Sequence, residues 1–299
     1  MGEAREGARH QGGVGRIATR FIVPFGRDGA ADRAARAFAD AFGGVEVENL
    51  PGEGGLAGVR CANSLAAEAR GAVLLLGTPT THILLPARSG RDAAPDAAFA
   101  PLAGLGSAPN VLLVSPRLGV ATVDELLARA RKETLLYASA GAGQTIHVCT
   151  EYLCALAGVR MMHRPYDSGS ATAYGDLAAG RVHVYFDNLL GCRDFVARGD
   201  ALALAVSATA RNRILPDVPT LAECGFPDHA LEIGFGVFGA GLDESQASRL
   251  ETVRADPDLA EALERIGLSG GVMRANALAQ QVEASAAAWR AALVAAIGA

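Results

Sequence analysis

The sequence predicts an α/β protein of two lobes, each built on a mostly parallel sheet and joined by a two-strand hinge. Three observations carry this. Apolar runs of strand length alternate with helix-length stretches of 3.6-residue periodicity, the pattern of repeated strand–helix–strand units with right-handed crossovers. Two extended apolar segments, 109–116 and 233–240, sit where that pattern restarts. At 299 residues the chain is long enough for two medium domains. The expected division places residues 16–112 and 240–299 in lobe 1 and 113–239 in lobe 2, with 1–15 a disordered or leader-less N-terminus.

The elements follow in order. A strand at 20–24 leads to a helix at 30–42, stopped by Gly43-Gly44. A short strand at 45–48 and the turn Asn49-Leu50-Pro51-Gly52-Glu53-Gly54-Gly55 lead to a helix at 56–68. The run 72–77 is wholly apolar, as in a strand covered on both faces. Thr122-Val123-Asp124-Glu125 is a capping box, with Val123, Leu126, Leu127 and Ala130 on one apolar face. Strands at 135–138, 160–163, 182–186 and 202–207 alternate with helices at 144–157, 170–179 and 190–197. Ile146, Cys149, Leu153 and Leu156 form the stripe of the first of these helices. After the extended segment 233–240 the final stretch is helical, with Asp256-Pro257 as cap and first-turn proline, and Leu278, Val282, Trp289, Leu293 and Ile297 on one face of the last helix.

Composition excludes several function classes. Half the residues are apolar and 20% charged, which suits a folded chain, and the net charge of −5 with no basic block gives no support for nucleic acid binding. No run approaches the roughly 18 apolar residues of a membrane helix. No apolar segment precedes Phe21, so no secretory signal is visible. Five cysteines without a CxxC spacing read as scattered buried thiols. The histidines lack metal-ligand spacing, so neither metal nor cofactor is expected.

Two strand-to-helix turns concentrate the functional signal: Pro24-Phe25-Gly26-Arg27-Asp28-Gly29-Ala30-Ala31-Asp32 and Ser139-Ala140-Gly141-Ala142-Gly143-Gln144-Thr145. A helix start leaves N–H groups unpaired and carries partial positive charge, so two of them facing across a cleft would grip a small anion without a lysine or arginine. Small residues let backbone approach a ligand, and Ser139 and Thr145 add hydroxyls. The two glycines of the first turn do not make a GxGxxG pattern, and an ordinary tight turn with Asp32 capping the helix explains it equally well. Thr78-Pro79-Thr80-Thr81-His82 follows the buried strand, where open α/β sheets place ligands, though a polar loop is nearly as good a reading. There is no Gly-x-Ser-x-Gly elbow. Ser139, His147 and Asp187 make a poor triad, because His147 lies on the helix that follows Ser139. No catalytic residue is expected.

The chain resembles the solute-binding receptors of tripartite tricarboxylate transporters, the bacterial Bug receptors. Collinear matches run from Phe21 to Trp289. They include Val23-Pro24-Phe25 with Asp32, Val47-Glu48-Asn49 with Pro51-Gly52 and Gly54-Gly55, and Leu74-Leu75-Leu76-Gly77-Thr78. Pro109-Asn110-Val111-Leu112 follows, then Tyr137-Ala138-Ser139 with Gly141, Gly143 and His147, and His163 with Pro165-Tyr166. Phe186-Asp187-Asn188 and Pro216-Asp217-Val218-Pro219-Thr220-Leu221 complete them. The resemblance implies a periplasmic-binding-protein-like fold of type II, a Venus flytrap, that captures a small carboxylate or amino-acid-like ligand. It also implies the membrane permease subunits of a tripartite transporter as partners, a monomer, and a periplasmic location. Carried over by position, ligand contacts would come from Pro24, Phe25, Gly26, Gly29, Ala30 and Ala31, with Arg27 beside them. Thr78 and Thr80 would line the floor. Ser139, Gly143, Gln144 and Thr145 would come from the second turn, and Tyr166, Ser168, Gly169, Asp187 and Asn188 from the distal end.

Two departures bear on the ligand. The family's first turn usually continues with proline, a small residue and glycines, where this chain has Gly26-Arg27-Asp28-Gly29. Asp167 follows Tyr166 where lysine is usual. Asp28 and Asp167 would repel a tricarboxylate, with Arg27 offsetting one of them, so a ligand of little net negative charge is expected. Two other functions fit the same residues: a sensor that signals to a partner on the same fold, and a hydrolase using the Ser139, His147 and Asp187 set.

Overall fold

The computed structural model describes residues 19–68, 71–90, 93–166 and 170–298. Strand β1 (Thr19–Val23) brings Phe21, Ile22 and Val23 fully inside. Helix α1 (Ala30–Phe42) packs its periodic face, Ala34, Ala35, Phe38 and Phe42, against the same core. Phe38 meets Phe21 edge-on at 5.9 Å and stacks on Phe42 at 5.6 Å. Strand β2 (Val45–Asn49), helix α2 (Leu56–Glu68) and strand β3 (Val73–Gly77) follow. β1 pairs in parallel with both β2 and β3, setting Phe21 opposite Val47 and Leu74. β3 is buried at every position, as its unbroken apolar run requires.

Beyond β3 the sequence reading missed a helical segment. Thr80–Leu84 forms a π-helical turn and α3 (Leu85–Ser89) continues it to Gly90. The long strand β4 (Ala100–Val114) then leaves the first sheet for the second. The second sheet is built from α4 (Val123–Ala130), β5 (Leu136–Ser139), α5 (Thr145–Ala157), β6 (Met162–Pro165), α6 (Ser170–Ala178), β7 (Val184–Asn188), α7 (Leu189–Ala197) and β8 (Leu202–Val206). β5 lies parallel between β6 and β7. The Thr122 hydroxyl accepts from the Glu125 N–H, and the Glu125 carboxylate reaches back to the Ala121 N–H, one residue before the expected arm of the box. Strands β6 and β7 begin two residues later than the sequence reading set them. On α5 the buried stripe turns toward Val148 and Cys154, leaving Leu156 39% exposed.

β4 and β9 (Glu232–Ala240) are the crossing strands. They pair antiparallel from Ala100 opposite Gly239 to Pro109 opposite Glu232. From Asn110 onward β4 pairs instead with β7 and β8. Among the described strands parallel pairing is thus confined to one trio in each sheet, and the crossing strands make both sheets mixed, because a chain arriving from the other sheet enters in the opposite sense. Ser207 stitches the two crossings. Its hydroxyl accepts from the Asn110 N–H at 2.9 Å and donates to the Leu231 carbonyl at 2.9 Å. β4 bulges at Gly106, whose φ of +95° and whose approach to the Ser269 carbonyl, 2.5 Å from an added Cβ, leave room for no side chain.

The chain ends in α8 (Glu244–Arg254), α9 (Pro257–Arg265), the short strand β10 (Met273–Arg274) and α10 (Ala275–Gly298). Asp256 caps α9 with Pro257 at its start, as expected. α10 packs on α5, β4 and the π-helical turn, so it touches elements of both sheets. Among the described residues no helix is long and apolar enough to cross a membrane. All five cysteines are free, with Cys149, Cys154 and Cys192 buried and Cys61 and Cys224 partly so. The expected disorder of 1–15 falls outside the described residues.

Candidate functional site

The first turn joins β1 to α1. Pro24 is buried, Phe25 half-buried, and Gly26, Arg27, Asp28 and Gly29 are exposed. Gly29 is the N-cap of α1, and no side chain caps the helix start, where Ala30 and Ala31 begin its first turn. Asp32, only 2% exposed, does something other than cap. It accepts the Asp28 N–H at 3.0 Å, the Asn49 amide at 2.9 Å and the Arg36 guanidinium at 3.0 Å. Asn49 in turn donates to the Phe25 carbonyl at 3.2 Å. Burial works to raise the Asp32 pKa, and these donors outweigh it and hold the carboxyl below its ordinary range. The turn's shape is therefore fixed by a polar knot on its own side.

The second turn joins β5 to α5. Gln144 is the N-cap, again without a side chain capping the helix. Its own amide donates to the Ala140 carbonyl at 2.8 Å. Gly141 and Gly143 have φ of +136° and +75°. The Ser139 hydroxyl accepts from the Gly141 N–H at 3.1 Å and lies 2.6 Å from His163 Nε2, while His147 Nδ1 accepts from the Gly143 N–H at 3.2 Å.

Three contacts bring elements of the first sheet onto this turn. The Arg88 guanidinium, at the end of α3, donates to the Ala142 carbonyl at 3.0 Å, and a Cβ on Gly143 would overlap it. The Thr80 hydroxyl accepts from the Thr145 N–H at 3.3 Å, the first amide of α5. Gly54, in the loop after β2, lies beside Ala142 and Gln144. Arg88, Thr80 and Gly54 therefore meet the uncapped start of α5, while Gly55, next to Gly54, lies against Pro24 and Phe25 of the first turn. Arg88 was missed in the sequence, where the anion grip was expected to need no basic side chain. A signal existed: Ile83-Leu84-Leu85-Pro86 with Arg88 and Gly90 is an apolar run with an N-terminal proline, a basic last turn and a glycine stop.

The remaining expected residues are placed as follows. Thr78 is buried at the end of β3, its N–H donating to the Thr81 hydroxyl at 3.0 Å. Tyr166 is buried, and its hydroxyl donates to Asp176 at 2.6 Å. Burial and that acceptor push its pKa up to about 12. Asp187 is buried under α7, accepting from the Tyr174 hydroxyl at 2.7 Å and the Asn188 N–H at 2.8 Å. Burial lifts its pKa to about 6 despite those donors. Asn188 caps α7 by accepting the Gly191 N–H at 3.0 Å. Ser168 and Gly169, with Asp167, lie outside the described residues.

The imagined triad is not assembled. Ser139 bonds His163 rather than His147, and Asp187 is engaged by Tyr174 and Asn188. Burial, with smaller contributions from His163 and Arg88, lowers the His147 pKa to about 4, so its ring is neutral at pH 7. Among the described residues no cluster of histidine, cysteine and carboxylate side chains could hold a metal ion.

Residues 30–298 match the model of the tripartite tricarboxylate transporter family receptor. A protein from the tcbD-tcbE intergenic region of Pseudomonas sp. strain P51 is 33% identical over 269 residues, covering 83% of this chain and 77% of its own. BugT of Bordetella pertussis is 30% identical over 231 residues, covering 73% and 69%. Among solved structures, R. palustris Rpa4515 with adipate is 31% identical, covers 93% of this chain and 97% of its own, and superposes with a TM-score of 0.81. MatC from Rhodopseudomonas palustris with bound malate is 25% identical, covers 92% and 98%, and has a TM-score of 0.78. Its two-sheet fold agrees with these matches, and the chain belongs to the tripartite tricarboxylate transporter receptor family, whose members bind solutes rather than transform them.

Proposed function

We propose that this protein captures a small mono- or dicarboxylate in the cleft and presents the closed form to the membrane permease of a tripartite transporter, working as a monomer in the periplasm. The observation that carries the reading is the Arg88 guanidinium on the Ala142 carbonyl, beside the uncapped helix start at Gln144, in a chain with a second uncapped start at Gly29. The Rpa4515 and MatC structures, named with adipate and malate, support the ligand class.

In this reading Gly26 and Gly29–Ala31 offer backbone N–H groups from one side, against the Pro24 and Phe25 wall. Gly143, Gln144 and Thr145 offer them from the other. Thr80 and Ser139 supply hydroxyls, and Thr78 forms the floor. Arg27 and Arg88 bring positive charge that offsets Asp28, which suits one or two carboxylates better than three. Tyr166, Asp187 and Asn188 shape the distal wall through their hydrogen bonds to Asp176, Tyr174 and Gly191. The lobes that close are 16–112 with 240–299, and 113–239, turning about β4 and β9 while α10 rests on both. Closure is favoured by a ligand that completes contacts in the closed state alone.

A thermal-shift panel tests this with adipate, malate, citrate, neutral amides and amines. A ligand at about 100 times its Kd adds roughly 2.7 kcal/mol of stability. The expected result is a shift with adipate or malate, a smaller one with citrate, and recovery of the ligand unchanged. A shift confined to neutral compounds would refute the carboxylate reading.

A further inference from the structure

A second cavity of about 400 Å³ lies behind the crossing strands, within the range of small-molecule sites. Its walls come from β4 at Ser107, from β9 at Glu232, Gly236 and Phe238, and from α10 along Leu278, Gln281, Val282 and Trp289. Neither anion-gripping turn lines it. Thr78, assigned above to the floor of the carboxylate cleft, and His82 close one side, so the two sites adjoin at Thr78. Most of its lining is apolar. Among the described residues that line it, Glu232 is the one charged group at neutral pH, since burial holds the His82 imidazole neutral. Glu232 accepts a single neutral hydrogen bond within this set, from the Ser107 hydroxyl at 2.7 Å.

Two further polar atoms lack partners. Thr78 is 7% exposed with its hydroxyl unpartnered, and His82 Nε2 is buried and unpartnered while its Nδ1 lies 2.8 Å from the Thr81 hydroxyl. A buried polar atom without a partner is costly, and a bound donor relieves that cost. The Thr81 hydroxyl donates to the Thr78 carbonyl, which leaves it to accept from His82 Nδ1–H and leaves Nε2 as an acceptor. With the Glu232 carboxylate and the Thr78 hydroxyl oxygen, the cavity then suits a donor-rich cationic head with an apolar tail. Its sign is opposite to that of the cleft, and a carboxylate here would face Glu232 without a cation among the lining residues.

We propose that this cavity is a second ligand site, taking a small amphipathic amine with its ammonium at Glu232 and its apolar body against Phe238, Val282 and Trp289. Because Ser107 and Glu232 lie on the two crossing strands, its occupant sits directly on the hinge.

Trp289 is the chain's single tryptophan and lines the cavity, so its emission reports occupancy. The full-length protein is titrated with hexylamine, with hexanoate and hexanol as matched probes. The expected result is a saturable change in Trp289 emission with hexylamine, at least tenfold weaker with hexanol and absent with hexanoate. Glu232→Gln, which can still accept from Ser107, weakens hexylamine at least tenfold. Ala284→Trp would confuse the emission, so exposed Ala284, which lines the cavity, is replaced by leucine and then phenylalanine to narrow it, with progressive loss of binding. Arg88→Ala leaves hexylamine binding unchanged even as it weakens a carboxylate in the cleft, which separates the two sites. No emission change with folded protein, equal binding of hexanol, or indifference to Glu232→Gln would overturn the proposal.

Discussion

The turn at 24–32 is anchored on its own side of the cleft, through Asp32 to Asn49, Arg36 and the Asp28 N–H, whereas the turn at 139–145 is anchored partly from the opposite side, through Arg88 and Thr80. Both end in a helix start that no side chain caps. In the proposed closure, a turn held by its own sheet is already formed before the lobes meet. A turn held across the cleft completes its contacts only when they do. The first then contributes mainly to stability and the second mainly to the difference between open and closed states, which is where ligand affinity is set.

The largest effect should come from breaking the first anchor. Asp32→Ala leaves the Asn49 amide, the Asp28 N–H and Arg36 without their acceptor, and should cost about 3 kcal/mol of stability in urea denaturation. The pH dependence has a definite sign. The folded pKa of Asp32 is lowered below the ordinary 3.8, so its contribution is complete above that value and is lost as the pH falls through the folded value. A matched loss of stability from Arg88→Ala would erase the distinction between the turns.

The second anchor should show the reverse balance. Arg88→Ala should weaken the carboxylate about tenfold, roughly 1.4 kcal/mol, and leave Tm nearly unchanged, because Arg88 sits on the exposed side of α3. Gly143→Ala displaces the same guanidinium and strains a φ of +75°, so it should weaken the ligand similarly and lower stability by about 1 kcal/mol. Combining the two should cost clearly less affinity than their sum, since both remove one contact. Full additivity by calorimetry would show that Gly143 acts independently of Arg88.

The smallest effect is expected at Asp187. Its raised pKa of about 6 against 3.8 unfolded means that it erodes stability as pH rises between those values. His147 and His82, lowered to about 4, act oppositely and remove stability as pH falls from 6.5 toward 4. Asp187→Asn should therefore steepen the acid loss of stability, leave stability at pH 7 equal or higher, and change carboxylate affinity less than twofold. A large affinity loss would place Asp187 against the ligand.

Much of this organisation was legible in the sequence because it is local. The helix at 30–42 carries its own glycine stop and apolar face, and the wholly apolar run ending at Gly77 reads as a buried strand. Both uncapped helix starts were visible for the same reason, as small residues at a strand-to-helix junction. What escaped depends on partners far along the chain. Arg88 reaches Ala142 across 54 positions, and Glu232 meets Ser107 across 125. The antiparallel entry of β4 and β9 into sheets that otherwise read as parallel is likewise a property of the crossing, absent from any single strand. Thr78-Pro79-Thr80-Thr81-His82 misled because its polar start concealed the helical segment that its apolar continuation announces.

Titration calorimetry of the wild-type chain with adipate and malate tests the central claim most directly. The account predicts one-to-one binding of at least one of them, with the ligand recovered unchanged. A folded protein that gives no heat with either, or that consumes the ligand, would contradict it.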